Sequence, residues 1–381
     1  MPRDLTTIAL YLPQFHPIPE NDEWWGRGFT EWRNTAKAKP LFRGHYQPHV
    51  PADLGFYDLR VPETRDAQAE MARAHGIDAF CYYHYWFGDG KRLLERPFED
   101  VLASGKPDFP FCICWANESW TGIWHGAPNR RLVEQTYPGE RDFDAHFEYL
   151  LRAFLDPRYL RIGGNPLLMI YRPREIPNVA KVIERWRNSA VRAGLPGLHL
   201  VGGKYLFEDW DPRDNGFDSV VSSFKRHHYG WATPFKRVRR FIERRLGQPM
   251  KYDVEDLLTD LASPVPRQDT HHPCLIPNWD NTPRSGRNGF VVTGTTPELF
   301  RVQIRNALAR VESIDGGRRV LFIKSWNEWA EGNHMEPDLR DGRAWLEALR
   351  DEVAAWRAVQ ARHAAPTVGD PVVSGEQRRT T

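Results

Sequence analysis

Nowhere does the 381-residue chain run to the roughly 20 consecutive apolar residues that a membrane-spanning helix needs, and it ends without a CaaX-type lipidation signal. The opening MPRDLTTIALYLPQFH has too short an apolar part, interrupted by Gln14 and His16, for the hydrophobic region of a secretory leader. These absences predict a soluble, cytoplasmic protein. An excess of charge of one sign is missing too: 52 Lys and Arg against 50 Asp and Glu leave +2. Such a chain has no global field to gather nucleic acid, so a neutral or weakly charged partner is expected. Cysteine is scarce, and Cys81, Cys112, Cys114 and Cys274 all sit in apolar runs that read as buried strands instead of loop staples. No second Cys or His pair follows Cys112 and Cys114 at zinc spacing. Neither GxGxxG after the first strand nor GxxxxGK[ST] anywhere is present, which removes the main signals for nucleotide binding. No cofactor and no metal are expected; the pairs His227, His228 and His271, His272 lack a carboxylate at ligand spacing.

What the chain has in quantity is tryptophan, 15 residues, several beside polar residues at the ends of apolar runs. A flat aromatic face suits the C–H face of a sugar ring, while the polar rim of the sugar needs amides and carboxylates. The apolar runs recur eight times: Ile8 to Phe15, Ile77 to Trp86, Phe109 to Trp115, Pro166 to Tyr171, His199 to Gly203, Ser219 to Phe224, Cys274 to Trp279 and Val320 to Trp326. Near-continuous runs of this kind fit parallel strands buried on both faces. Helical patterns lie between most of them. One opens at Pro177 with Val179, Val182, Ile183, Trp186 and Ala190 on one face and Gly194 placed to close it. Another opens at Thr296 and Pro297, with Phe300, Ile304, Ala307, Leu308 and Val311 as its stripe. Others run near Pro62 to His75 and Arg343 to Arg357. Eight strands alternating with helices predict an α/β fold, a (β/α)8 TIM barrel with long loops over the C-terminal face. It is expected to be a single domain over residues 1–362, with a polar, disordered tail over 363–381.

In such a barrel the chemistry collects at the C-terminal ends of the strands. The candidates there are Tyr11, Gln14 and His16 after the first strand, His84 and Trp86 after the second, and Trp115, Asn117, Glu118 and Trp120 after the third. Tyr171, then Lys204, then Trp279, Asp280, Asn281 and Arg284, then Trp326, Asn327 and Trp329 follow from later strands. So many convergent aromatic, amide and acidic groups describe a polyol-binding cleft, with an oligosaccharide or polysaccharide as partner. Glycoside chemistry needs one group to protonate the leaving oxygen and another as base or nucleophile, which paired carboxylates provide. Glu118, Asp280, Glu328 and Glu331 qualify by position, and spacing does not choose among them. Glu328 and Glu331 stand between Trp326, Asn327 and Trp329, where partial desolvation would raise a carboxyl pKa towards the working range of an acid.

Two connections exceed what a barrel needs, Pro17 to Val61 and Lys225 to Pro273, and both are expected to shape the cleft. The second carries Lys236, Arg237, Arg239, Arg240, Arg244 and Arg245. The ordinary reading of that run is a solvated helix face, with contact to an anionic polymer, or weak peripheral contact to lipid headgroups, as the alternative.

The segments YLPQFHPIPENDEWWGRGFTEW, GHYQPHVPADLGFYDLR, YYHYWF, WANESW, NWDNTPR and SWNEWAEG, in that order, resemble the WbsX-type proteins, a group similar to glycoside hydrolase family 99. The resemblance spans nearly the whole barrel. It implies the fold of retaining endo-α-mannosidases and mannanases, whose catalytic acids lie in a WNEWxEG-like segment that Glu328 and Glu331 match. By that resemblance Glu328 would act as base on the 2-hydroxyl of the sugar, giving a 1,2-anhydro intermediate. Glu331 would be the acid/base for the leaving group, and no metal is implied. The WbsX-type group is associated with bacterial surface-polysaccharide assembly, which makes a glycosyltransferase in O-antigen or capsule biosynthesis the competing expectation. A non-catalytic carbohydrate-binding barrel is a third.

Overall fold

A computed structural model describes residues 5–122, 131–204, 209–222, 234–262, 265 and 267–364. Eight parallel strand positions form the barrel: β1 (Thr6–Tyr11), β2 (Ala79–Trp86), β3 (Phe111–Trp115), β4 (Asn165–Ile170), β5 (His199–Lys204), β6 (Ser219–Ser222), β7 (His271–His272 and Cys274–Leu275) and β8 (Val320–Ile323). Each pairs with its sequence neighbour, and β8 returns to β1 with Ile8 opposite Phe322, so the ring closes in register. Pro273 splits β7 because it has no N–H for the ladder. Its carbonyl still accepts from Phe322 N at 3.0 Å, while the flanking pieces pair with β6 through His271 and with β8 through Cys274.

The barrel is the predicted one, but several of its strands end earlier than the apolar runs. Leu12 to Phe15, Ile276 to Trp279 and Lys324 to Trp326 leave the ladder and form the rim. Most of these rim residues stay buried under the loops, so hydrophobicity does not mark where pairing stops. Phe224, placed in the sixth strand from the sequence, lies outside the described residues, as do His227 and His228.

Around the ring stand α1 (Pro19–Trp25), α2 (Glu31–Lys37), α3 (Pro62–Ala74), α4 (Arg96–Ser104), α5 (Glu140–Phe154), α6 (Val179–Arg192), α7 (Pro234–Arg245), α8 (Val254–Ala262), α9 (Thr282–Ser285), α10 (Pro297–Val311) and α11 (Ala344–Ala364). α6 buries the expected stripe of Val179, Val182, Ile183, Trp186 and Ala190, and α10 is capped as expected, Thr296 Oγ1 accepting from Leu299 N at 3.3 Å. α11 extends to Ala364, two residues past the expected domain end, and the rest of the tail lies outside the described residues.

The long connection after β1 becomes α1, α2 and an irregular run back to α3. The one after β6 contains α7, a short strand Met250–Asp253 and α8. That strand pairs with Phe290–Thr293 over a second small core of Tyr252, Leu257, Ile276, Trp279, Phe290 and Val292. Both insertions sit on the C-terminal end of the barrel and wall the region where β8 releases the WNEWAEG segment.

Candidate active site

The segment after β8 folds as a tight hairpin. Asn327–Glu328 pairs antiparallel with Asn333–His334 around a single helical turn, Trp329–Glu331. Ser325 Oγ donates to Asn333 O at 2.7 Å and accepts from Glu328 N at 2.9 Å, so one hydroxyl pins both sides of the turn. Asn327 accepts from Leu12 N and donates to Leu12 O, at 2.7 and 3.0 Å, standing in for a strand neighbour beside the end of β1. Gly332 closes the turn at φ +57°, where a Cβ would also come within 2.9 Å of Asp280 Cβ. Asp280 N donates to Glu331 O at 2.7 Å. The turn is therefore held from three sides, and its two carboxylates are both buried, Glu328 at 4 % and Glu331 at 7 % exposure.

Three acids and two cations meet here. Lys324 Nζ lies 3.8 Å from Glu328 Oε1. Arg284 donates from Nη1 to Glu331 Oε1 at 2.6 Å and from Nε to Glu31 Oε2 at 3.1 Å, and Glu328 and Glu331 hydrogen-bond each other. Three carboxylates against two cations in a water-poor site leave one negative charge unless the cluster keeps a proton. Burial pushes Glu331 well above the ordinary carboxyl range, and the charge of Glu328 adds to that; Arg284 opposes both and does not overcome them. Glu31 is raised by burial too. Glu328 goes the other way: burial would raise it, but Lys324, the hydrogen bond from Glu331 and Arg284 together hold it below its usual value. The surroundings thus push the two carboxyls apart, Glu331 up and Glu328 down, which is the division that acid and base roles require.

Aromatic groups complete the cavity. Lys324 Nζ lies 3.4 Å from the hydroxyls of both Tyr83 and Tyr171 and 5.2 Å from the centre of the Trp279 ring. Tyr83 helps hold Glu328 below its usual value, and burial with the charge of Glu328 raises Tyr85. Trp120 meets Tyr85 edge-on at 5.0 Å and Trp24 at 6.1 Å. Glu118 is ion-paired with Arg172, whose guanidinium also lies over the Tyr171 ring.

Of the residues expected to bind substrate, the structure therefore brings Tyr171, Trp279, Trp120 and Glu118 to the cluster or its mouth. The others it employs differently. His84 bonds His146 of α5 at 2.9 Å and Trp86 donates to Asp142 of the same helix, so both lie between barrel and helices. Trp115 donates to Trp86 O and packs on His146 and Trp186. Tyr11 donates to Gln68 of α3 at 2.6 Å. His16 bonds Pro13 O, and the backbone carbonyl of Gln14 accepts from Glu31 N, seating α2. Asn117 clamps Arg172 N and O across two loops, Lys204 is paired with Asp211 at 2.9 Å, and Asn281 accepts from Phe290 N. Asp280 is saturated, by His45, Gln47 and both donors of Thr282. Trp326 is fully buried against Phe80, and Trp329 stacks on His334 and donates to Glu336.

Sequence reading missed Lys324, Glu31, Tyr83 and Tyr85. In YYHYWF it named His84 and Trp86: alternate residues of β2 point to opposite faces, and these two face the helices while Tyr83 and Tyr85 face the acids. Among the described residues, one group could hold a metal, His49, His334 and Asp338, all buried. His49 Nδ1 lies 3.1 Å from His334 Nε2 and 3.3 Å from Asp338, distances that a shared N–H satisfies.

Residues 7–349 match the family model described as Glycosyltransferase WbsX. The chain belongs to this family. Two curated relatives from Xanthomonas campestris pv. campestris, strains B100 and ATCC 33913, each bear the name "Uncharacterized protein WxcX" and are 42 % identical over 91 % of the chain. The match covers 49 % of each, so this WbsX-family chain spans about half the length of the curated relatives it matches. Among solved structures, the GH99 endo-α-mannosidase from Bacteroides thetaiotaomicron aligns with a TM-score of 0.57 at 16 % identity, covering 95 % of this chain and all of that one. A glycoside hydrolase-like protein aligns with a TM-score of 0.55, also at 16 % identity, over 92 % of this chain and 94 % of its own. These likenesses show that the chain has the (β/α)8 barrel fold.

Proposed function

We propose that this WbsX-family barrel is a retaining carbohydrate-active enzyme, a glycoside hydrolase or transglycosylase that works through a 1,2-anhydro sugar. The observation that carries the reading is a pair of buried carboxyls on one turn, Glu328 with Lys324 Nζ at 3.8 Å and Glu331 with Arg284 at 2.6 Å, in surroundings that push Glu328 down and Glu331 up. In the first step Glu328 takes the proton of the 2-hydroxyl, whose oxygen closes on C1. The bond from C1 to the leaving oxygen breaks, and Glu331 gives that oxygen its proton. In the second step Glu331, now a carboxylate, takes a proton from water or an acceptor hydroxyl that attacks C1. The C1–O2 bond opens, and O2 recovers its proton from Glu328. Tyr171, Trp279 and Trp120 would supply aromatic faces for sugar rings, and the substrate would displace the hydrogen bond that now joins the two acids.

The substrate class proposed is a bacterial surface polysaccharide or a lipid-linked glycan with a free 2-hydroxyl at the reacting sugar, handled in the cytoplasm. The family description favours a second reading, net glycosyl transfer during polysaccharide assembly. The two separate by incubating the protein and its Glu328→Gln and Glu331→Gln variants with α-mannans and O-polysaccharides and following products by mass spectrometry. Released oligosaccharides, lost in both variants, support hydrolysis. Extension of a glycan only when an activated sugar donor is added supports transfer. Turnover undiminished in either variant removes the mechanism.

A further inference from the structure

α7 is an amphipathic helix that faces the wrong way for a soluble protein. Arg239 and Glu243 tie it to the body: Glu243, buried, takes Arg239 Nε at 3.0 Å and Lys251 Nζ at 3.4 Å, and Arg239 also reaches Asp253 at 3.2 Å. Val238, Phe241, Ile242 and Leu246, spaced so that they share one face, stand 58, 60, 50 and 64 % exposed. Ten large apolar side chains are exposed among the described residues, and four of them come from this one face. Isolated exposed apolar residues are ordinary, whereas a contiguous stripe marks a surface that something covers.

The charge of the helix says what covers it. The sequence of α7, PFKRVRRFIERR, has six basic residues and one acid, in a chain whose net charge is only +2. Arg245 keeps its guanidinium 5.1 Å from the Phe241 ring centre, where the aliphatic stem can lie along the apolar stripe and the charged head remain at its edge. A second copy of the same face would bring like charges together. We propose that α7 and Leu246 seat this protein on an anionic lipid surface, the apolar stripe entering the headgroup boundary and the basic residues meeting lipid phosphates. The helix packs on the strand Met250–Asp253, which pairs with Phe290–Thr293. That strand in turn bonds Trp279 O through Val292 N, so the lipid-facing helix belongs to the same end of the barrel as the carboxylates. The proposal does not depend on the chemistry proposed for them.

The test is co-sedimentation of the whole chain with vesicles of phosphatidylglycerol and phosphatidylcholine, beside vesicles of phosphatidylcholine alone. Binding is expected to the anionic vesicles only, to weaken as salt is raised, and to fall at least about tenfold in a Phe241→Asp/Leu246→Asp variant whose melting temperature is unchanged. Arg245→Glu is expected to weaken it as well. Wild type left in the supernatant of the anionic vesicles, or pelleted as well as the double variant, overturns the proposal. So does a concentration-dependent dimer in sedimentation velocity that the double variant abolishes, because the stripe would then be covered by a second copy.

Discussion

Arg284 and Glu331 are joined by a 2.6 Å hydrogen bond inside a site whose burial nevertheless pushes the Glu331 carboxyl above its ordinary range. The reason is that Arg284 is shared with Glu31, and Lys324 is spent on Glu328, so the cations are one short of the acids. Burial first, and the charge of Glu328 after it, push Glu331 up, and with the cations one short that rise is not cancelled.

Arg284→Met should therefore push Glu331 and Glu31 further up and strip both of a buried partner. A loss of about 3–5 kcal/mol in stability is expected, together with an upward shift of the alkaline limb of the activity profile. Thermal unfolding and a pH–rate profile check the two halves separately.

For the wild type, kcat/KM should fall on the acid side as Glu328 gains its proton, at a pH below the ordinary glutamate value, and on the alkaline side as Glu331 loses its own, above it. An alkaline limb at an ordinary carboxyl pKa would contradict the assignment of Glu331 as acid.

Stability carries the opposite sign. A carboxyl raised in the folded state binds more protons folded than unfolded, so its contribution is fully present below the unfolded glutamate pKa and is lost as pH rises towards the folded value. Glu331→Gln removes that loss. The variant should be inactive yet more stable than wild type at mildly alkaline pH, by about 1–2 kcal/mol, and the difference should shrink at pH 4. Denaturant titrations at the two pH values measure it.

Asp280 accepts four hydrogen bonds. Asp280→Ala leaves buried donors of His45, Gln47 and Thr282 unpaired, at a cost of about 2–4 kcal/mol. A drop in melting temperature is expected before any change in substrate affinity, and binding at a temperature where both proteins are folded shows whether affinity is spared.

On β2, Tyr83→Phe should lower turnover roughly tenfold or more by removing a hydroxyl that lies 3.4 Å from Lys324 and helps hold Glu328 below its usual value. Trp86→Phe removes a bond to Asp142 on the far face and should cost about 1 kcal/mol of stability with turnover intact. Steady-state kinetics with the two variants side by side tests which face of the strand serves the site.

The sequence by itself determined the barrel. Eight apolar runs with helical stripes between them leave few other ways to bury so much surface, and Thr296 at the start of α10 and Gly194 after α6 behave as local physics requires. It also placed Glu328 and Glu331 together, since a three-residue spacing beyond a strand is a local property. Tertiary structure alone decided which residues those acids meet. A strand buried on both faces has no polar side to reveal its parity, so His84 and Tyr83 look alike until the ring closes and one face turns inward. Arg284 and Glu31 lie 253 residues apart, brought together by two loops whose lengths are legible but whose paths are not. Asp280, Asn117 and Asn327 are drawn from the same polar alphabet as a sugar site, and only the tertiary structure fills their hydrogen-bond capacity with protein partners.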